Sequence, residues 1–432
     1  MVKLRPFRGW RYHPGVISDL ASVICPPYDI IDREMEESLR NRSPYNAVFL
    51  EGAERPDWNA TASERYAQAA NLFKDWQNEN VLRRDSQPSL YLMEHSYRFQ
   101  GKDLTRLGLI CCVGLAEYDQ RRVLPHEFTQ EPAVLDRVAL MEACNANFSP
   151  IMSIYRDASG TLATIYRQVV AEEEPVFRVS DESGQKTALW RITDKDVQAR
   201  ISEIFEHIPV FLADGHHRYE AALRLKGQRQ REGQADDAQA HGFVMMTLFD
   251  FDDPGLLVLP YHRVVGGLSD TQLGQIRSRL DQMFEALPVG PGSGGGVEGL
   301  LERIAGSDIG QKVVGVAGLG EPGLHFLTLK QDQDWRGWGP LAVSEGWILE
   351  EHVLKPVLGE ATPQHVDYIH DHSLALAQVV SGEQQLALLL RPFPMDGFES
   401  VVGAGHLLPR KSTFFYPKLP TGLVINQLEG VL

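Results

Sequence analysis

The chain has 432 residues, 43% of them hydrophobic and 23% charged, which excludes a disordered polypeptide and supplies core material for about three domains at roughly 100–200 residues each. The 42 basic and 58 acidic side chains leave a net charge of −16, which argues against wholesale binding to nucleic acid or an anionic membrane. No signal-peptide core follows Met1-Val2-Lys3-Leu4, and no apolar run approaches the ~20 residues that span a bilayer. The sequence therefore predicts a soluble, cytoplasmic protein with no membrane partner.

In chain order, Pro26-Pro27-Tyr28-Asp29 is followed by helical patterns at Arg33–Arg40 and Ala62–Leu82, with a short strand candidate at Ala47–Glu51. Two extended runs, Ser89–Gln100 and Leu104–Tyr118, meet at Gly101-Lys102-Asp103 as a hairpin. Cys111 and Cys112 lie in its apolar part and read as buried thiols. With Cys25 and Cys144 they form no C-x-x-C pair, so neither a zinc site nor a disulfide framework is expected. Pro132 opens a helix running to Cys144. Strands are expected at Ile151–Tyr155, Val176–Val179, Thr187–Ile192 and Pro209–Ala213, with helices at Asp194–Phe205 and Arg218–Gly227.

Strands at Phe243–Phe251 and Leu256–Val265 follow, then a helix over Gln275–Leu287. Gly290, Gly292 and Gly295 fit G-x-G-x-x-G literally. A proline interrupts them and a helix rather than a strand precedes them, so a flexible loop is the better reading. A hairpin at Val313–Leu319 and Leu324–Lys330, helices at Val343–Leu358 and Leu374–Val380, and a strand at Leu386–Leu390 lead into a loop-rich end. Strands and helices mix without a βαβ rhythm, which predicts an α+β fold.

The sharpest chemical feature is an apolar strand that stops at Asp214-Gly215 and gives way at once to a helix beginning His216-His217-Arg218. Such a junction aims backbone N–H groups and the positive end of a helix dipole at one small volume. Gly215 allows close approach, Arg218 offers a planar fork to phosphate, and Asp214 suits a helix cap or a water-mediated Mg²⁺ ligand. A tight turn with packed histidines explains the same residues without a ligand. In Leu124-Pro125-His126-Glu127, a Glu beside a His just before a helix suits a general base; a solvated loop carboxylate is the plain alternative. Pro409-Arg410-Lys411-Ser412-Thr413 gathers cations and hydroxyls that can grip an anion, or form a surface loop anchored by the following Phe414-Phe415-Tyr416. His365, His370, Asp371 and His372 read as ordinary surface residues rather than a metal cluster.

Across nearly its whole length the sequence resembles the family catalogued as domain of unknown function 1015. The marks are Pro26-Pro27-Tyr28-Asp29, Pro44-Tyr45-Asn46, Leu124-Pro125-His126-Glu127, Asp136-Arg137, Ala146-Asn147-Phe148-Ser149-Pro150-Ile151, Asp214-Gly215-His216-His217-Arg218 and Pro409–Lys418. More distantly it is similar to the ADP-dependent free serine kinases of the ParB/sulfiredoxin superfamily. These carry a Pro-His-Glu, an Asp-Gly-His-His-Arg turn and a C-terminal Lys-Thr-Thr in the same order. Where they continue with Arg-His, this chain has Phe414-Phe415.

That resemblance implies an N-terminal α+β region (1–100), a ParB/sulfiredoxin-like nucleotide-binding core (101–265) and a C-terminal α+β domain completing the site (266–432). It implies that Asp214, Gly215, His216, His217 and Arg218 bind the phosphates of ADP, ATP or another nucleotide with Mg²⁺, with Asp214 near the metal. Glu127, with His126, would be catalytic, and Lys411, Ser412 and Thr413 would bind the substrate. The function expected is phosphoryl transfer to a small hydroxylated substrate, possibly an amino acid such as serine; the alternative is a non-catalytic nucleotide-binding regulator, with Phe414-Phe415 in its favour. Arg218, His216, His217 and Lys411 would then form a locally cationic pocket in an acidic protein that does not bind nucleic acid.

Overall fold

A computed structural model of the chain describes residues 1–51, 62–233, 238–290, 295–320 and 323–432. The chain divides into two units, Met1–Leu257 with Pro417–Leu432, and Val258–Tyr416. Each mixes helices with sheet, so the chain is α+β.

One sheet organises the first unit. Its strands are β1 (Leu4–Arg5), β2 (Leu90–Phe99), β3 (Lys102–Gly114), β4 (Val123–Leu124), β5 (Ile151–Tyr155), β6 (Phe177–Ser180), β7 (Lys186–Ile192), β8 (Val210–Asp214) and β9 (Phe243–Asp250). They lie in the order β4-β8-β5-β9-β3-β2-β7-β6, with β1 against β3. The pairs β4/β8 and β5/β9 are parallel, and the remaining pairs are antiparallel. The β2–β3 hairpin turns through Gln100 and Gly101, both at positive φ (47° and 78°), as its Gly-containing junction predicts. Because that hairpin spans residue 100, residues on both sides of it share one sheet.

Period-2 alternation puts Leu90, Leu92, Leu109, Cys111, Val113, Val210, Leu212, Met246 and Leu248 in one core. Helices α2 (Glu131–Cys144), α3 (Lys195–Phe205) and α4 (His216–Arg231) add Val134, Ile201, Phe205 and Tyr219 to it. A second core joins helix α1 (Ala62–Asn78) to α2 through Tyr66, Phe73, Trp76, Leu140 and Phe148. The Phe73 and Phe148 rings meet edge to face at 5.2 Å. All four cysteines are buried, and none is in a disulfide.

The second unit carries an antiparallel sheet of β10 (His262–Val265), β11 (Phe284–Pro288), β12 (Val313–Ala317), β13 (Leu324–Leu329), β14 (Val366–Ile369) and β15 (Leu386–Leu389), in the order β11-β13-β12-β15-β10-β14. Its faces feed separate cores: Val265, Val314, Leu327, Leu386 and Leu388 on one side, and Val264, Val313, Phe326, Ala387 and Leu389 on the other.

Three local expectations are corrected. Ala47–Glu51 contains a helical turn, Val48–Glu51, rather than a strand. The Asn46 side chain accepts from Val48 N–H at 3.0 Å and so caps a turn there. Leu256–Val265 is broken by Pro260 into Leu257–Leu259 and β10, since proline supplies no N–H for a ladder. The helix expected over Gln275–Leu287 runs from Asp270 to Met283, behind a Ser269/Gln272 capping box, and the chain then becomes β11. Of the glycine-rich segment, residues 291–294 lie outside the described residues. Among the described residues no helix is long and apolar enough to cross a membrane.

Leu109 is fully buried at the centre of the main sheet. Leu109→Ala is expected to destabilise the first unit by about 2–5 kcal/mol, measured as a lowered urea midpoint at unchanged m-value. A loss below about 1 kcal/mol would contradict the packing described.

Candidate functional site

Strand β8 ends at the turn that the sequence singles out. A register shift between Leu212 and Asp214 marks a bulge, which re-aims the strand's last side chain. Gly215 then takes φ 94°, and a Cβ on it would stand 2.8 Å from Arg218 Nη2 and 2.9 Å from Nε. Both the backbone angle and the packed guanidinium demand glycine here. Helix α4 starts at His216, so the N–H groups of its first turn have no intrahelical carbonyl to bond.

Arg218 is 5% exposed. Its Nη2 donates to Asp214 Oδ2 at 2.9 Å, and its Nη1 donates to Ser149 Oγ at 3.0 Å and to Pro150 O at 2.7 Å. The guanidinium thus locks the turn to the Phe148-Ser149-Pro150 segment. Lys418 Nζ donates to the other carboxylate oxygen, Oδ1 of Asp214. Burial alone would push the Asp214 carboxyl up, but Lys418 and Arg218 outweigh it and hold it down at about 2.

The Pro26–Asp29 loop belongs to the same unit as this cluster. Cys25 and Thr421 exchange backbone hydrogen bonds of 3.3 and 2.7 Å, tying that loop to the segment carrying Lys418. Tyr28 lies under the Arg137 guanidinium at 4.0 Å. Arg137 is itself held by Glu51 Oε2 at 3.2 Å and by Asp136 Oδ2 at 2.8 Å. Asp29 keeps solvent access, yet the protein crowded around it and the like charge of Asp214 push its carboxyl up, against the opposing pull of Lys418 and Arg218. The two carboxyls are therefore driven apart.

His126 is buried, and its Nδ1–H donates to Leu212 O at 2.6 Å. Its backbone N–H donates to His216 Nε2 at 3.2 Å, and the two rings meet edge to face at 4.5 Å. With Nε2 accepting, neutral His216 carries its proton on Nδ1, which faces Glu127 Oε1 at 3.5 Å. Burial, then the proximity of His126, lowers the His216 pKa well below the usual imidazole range; burial also lowers that of His126. Glu127 is the accessible member of the trio, its side chain 30% exposed. His217 Nε2 accepts from Gln130 N–H at 3.0 Å, which fixes the entrance to α2.

The structure brings Glu127, His126 and Asp214 to Arg218 together within the first unit. It does not supply the expected cationic pocket there, because Arg218 is committed to Asp214 and His216 is buried and neutral. Nor does Asp214 fit a magnesium ligand: two cations already neutralise its carboxylate, which removes the attraction for a third. Among the described residues no group of His, Cys, Asp or Glu has the arrangement of a metal site.

Lys411, Ser412 and Thr413 belong to the second unit. Lys411 sits at φ 58° with Nζ 5.1 Å over the Tyr261 ring, while Ser412 Oγ donates to Pro409 O at 2.7 Å. Phe414 and Phe415 are buried, with His370 stacked on Phe414 at 4.3 Å. Sequence reading missed Lys418 as a partner of Asp214, although it closes the same C-terminal motif. It also gave no role to Asp29, Ser149 or Arg137, each of which stands inside a quoted motif.

A family model described as "Protein of unknown function (DUF1015)" matches residues 4–343. The chain belongs to that family. Solved structures similar to this DUF1015 chain include a free serine kinase mutant in complex with ADP, at 11% identity and a TM-score of 0.36, covering 74% of this chain and 92% of that one. A mutant free serine kinase in complex with AMP follows at 12% and 0.37, covering 74% and 91%. A conserved hypothetical protein from Pyrococcus furiosus stands at 13% and 0.33, covering 74% and 95%. No curated protein matches the chain.

Since Asp214 titrates lower in the folded than in the unfolded chain, its pairing contributes stability above the unfolded value, about 4. That contribution is lost as pH falls from there through about 2. Urea midpoints of wild type and Asp214→Asn should differ at pH 6 and converge as the pH drops through that window. A difference that stays constant with pH would contradict the ion triad.

Proposed function

We propose that this chain is a nucleotide-dependent phosphotransferase acting on a small hydroxylated substrate. The observation that carries the reading is the contact between Glu127 and His216. A solvent-accessible carboxylate stands 3.5 Å from the Nδ1 of the first residue of α4, so a base and an anion-favouring helix start share one place. In this reading the first-turn N–H groups of α4 and the bare backbone of Gly215 receive the nucleotide phosphates. Arg218 acts behind them, holding the turn rather than the ligand.

Chemistry then needs few parts, because phosphoryl transfer depends mostly on positioning and charge. Glu127 accepts the proton of the acceptor hydroxyl. The acceptor oxygen forms a bond to the terminal phosphorus as the phosphoanhydride P–O bond breaks, and the electron pair leaves with the shortened nucleotide. His216 Nδ1–H steadies the carboxylate, and His126 positions His216. ADP or ATP is the proposed donor, and a ParB/sulfiredoxin-like core the proposed ancestry of the first unit. Mg²⁺ would arrive on the nucleotide's own phosphates, since Asp214 is already matched with two cations.

Wild type is expected to bind a nucleotide and to phosphorylate an acceptor from a panel of hydroxy-amino acids and small alcohols, assayed with and without Mg²⁺. Glu127→Gln should lower kcat by roughly 10²–10⁴-fold while leaving the nucleotide Kd nearly unchanged. Full turnover in that variant removes Glu127 from the mechanism. Nucleotide binding without transfer to any acceptor favours the regulator instead.

A further inference from the structure

The C-terminal motif is shared between the two units: Lys411 to Thr413 lie in the second, while Pro417-Lys418 return to the first. We infer that Lys418 is the cation that meets the ligand's phosphate, and that its pair with Asp214 is a resting contact which the ligand exchanges for its own oxygen. This rests on the phosphotransferase reading above and names a residue for it.

The two cations on Asp214 are not equivalent. Arg218 is pinned by Asp214 Oδ2, Ser149 Oγ and Pro150 O, and its planar fork packs under the backbone of Gly215. It cannot turn towards a ligand without breaking the loop. Lys418 is a compact charge on a flexible four-carbon stem, able to pivot about its Cα. When it leaves, Arg218 remains to neutralise Asp214, so no buried carboxylate is stranded. A single cation could not be lent in this way, whereas two allow one to move.

The backbone on which Lys418 pivots is firmly held. Pro417 O accepts from Arg106 Nη2 at 2.5 Å, and Arg106 is fully buried. The same Nη2 lies 3.2 Å from His95 Nδ1, while His95 Nε2 donates to Gln185 Oε1 at 2.9 Å. The Arg106 guanidinium also stacks 4.6 Å over the Phe249 ring. Three residues further on, Thr421 is clamped to Cys25 by a reciprocal pair of backbone bonds. The stem of Lys418 thus starts from a fixed point and its contact lies on Asp214, one residue before the turn proposed to receive phosphate.

The exchange makes a prediction of opposite sign for its two partners, which an ion pair of purely structural role would not. Using the full-length chain, pyrophosphate and ADP are titrated calorimetrically into wild type, Lys418→Met, Asp214→Asn and the double variant. Lys418→Met should weaken pyrophosphate binding roughly 10- to 100-fold, the value of a charge-assisted hydrogen bond. Asp214→Asn removes the competitor for Lys418 and should bind pyrophosphate as tightly as wild type or tighter. The double variant removes Lys418 and its resting partner together, while Arg218 keeps its bonds to Ser149 Oγ and Pro150 O, so weak binding by it, with a native circular dichroism spectrum, supports the inference even if Lys418→Met folds poorly. If the double variant and Lys418→Met bind like wild type, the inference is overturned while the phosphotransferase reading stands. If Asp214→Asn loses affinity in parallel with Lys418→Met, exchange is overturned. Absence of binding by wild type to both ligands overturns this inference and the reading beneath it.

Discussion

The ion triad of Lys418, Asp214 and Arg218 is the constraint on which the rest of the site depends. A carboxylate at the end of a buried strand would be costly alone, and here it receives one cation through each oxygen. Arg218 comes from the helix that the turn begins, and Lys418 comes from the far end of the chain. By accepting both, Asp214 joins two separated stretches of sequence. Through Ser149 and Pro150, Arg218 adds a third, and the Cys25–Thr421 pairing adds the N-terminal loop. The turn conformation follows from this wiring, since only glycine fits between Asp214 and the guanidinium.

In the proposed reading, the local distribution of charge lets an acidic protein offer this turn to an anion. The net −16 is a property of the whole surface, whereas the turn presents helix-start amides with a neutralised aspartate beside them. In the proposed reading, the local attraction for phosphate rests on backbone N–H groups and on Lys418 rather than on a fixed arginine cluster. The histidines take a different part from a charged pocket. Burial holds His126 and His216 neutral, and the hydrogen-bond pattern fixes which nitrogen of His216 faces Glu127.

Much of this architecture was legible in the sequence, and the reasons for the exceptions are physical. Hairpin β2–β3, the strand before Asp214 and the helix after it follow from local periodicity and one glycine. The α+β class follows from the irregular mixing of those elements. The turn at Asn46 was misread because four apolar residues suit a strand or a helical turn equally, and a single side-chain cap decides between them. Arg218 was legible as a residue but not in its destination: its acceptors lie 69 and 68 positions earlier in the chain. Lys418 reaches Asp214 across 204 positions, a pairing no local spacing encodes. Both partners nonetheless sat in motifs that the sequence had already set apart, so it was the pairing of motifs that the linear pattern left open.

The central claim is that a nucleotide sits against the Asp214–Arg218 turn beside Glu127. Amide hydrogen exchange with and without ADP or ATP tests it most directly. The account predicts slowed exchange at residues 214–218 and 126–130 when nucleotide is present, with little change around the Val313–Ala317 and Leu324–Leu329 hairpin. Unaltered exchange at the turn, with protection appearing elsewhere, would contradict it.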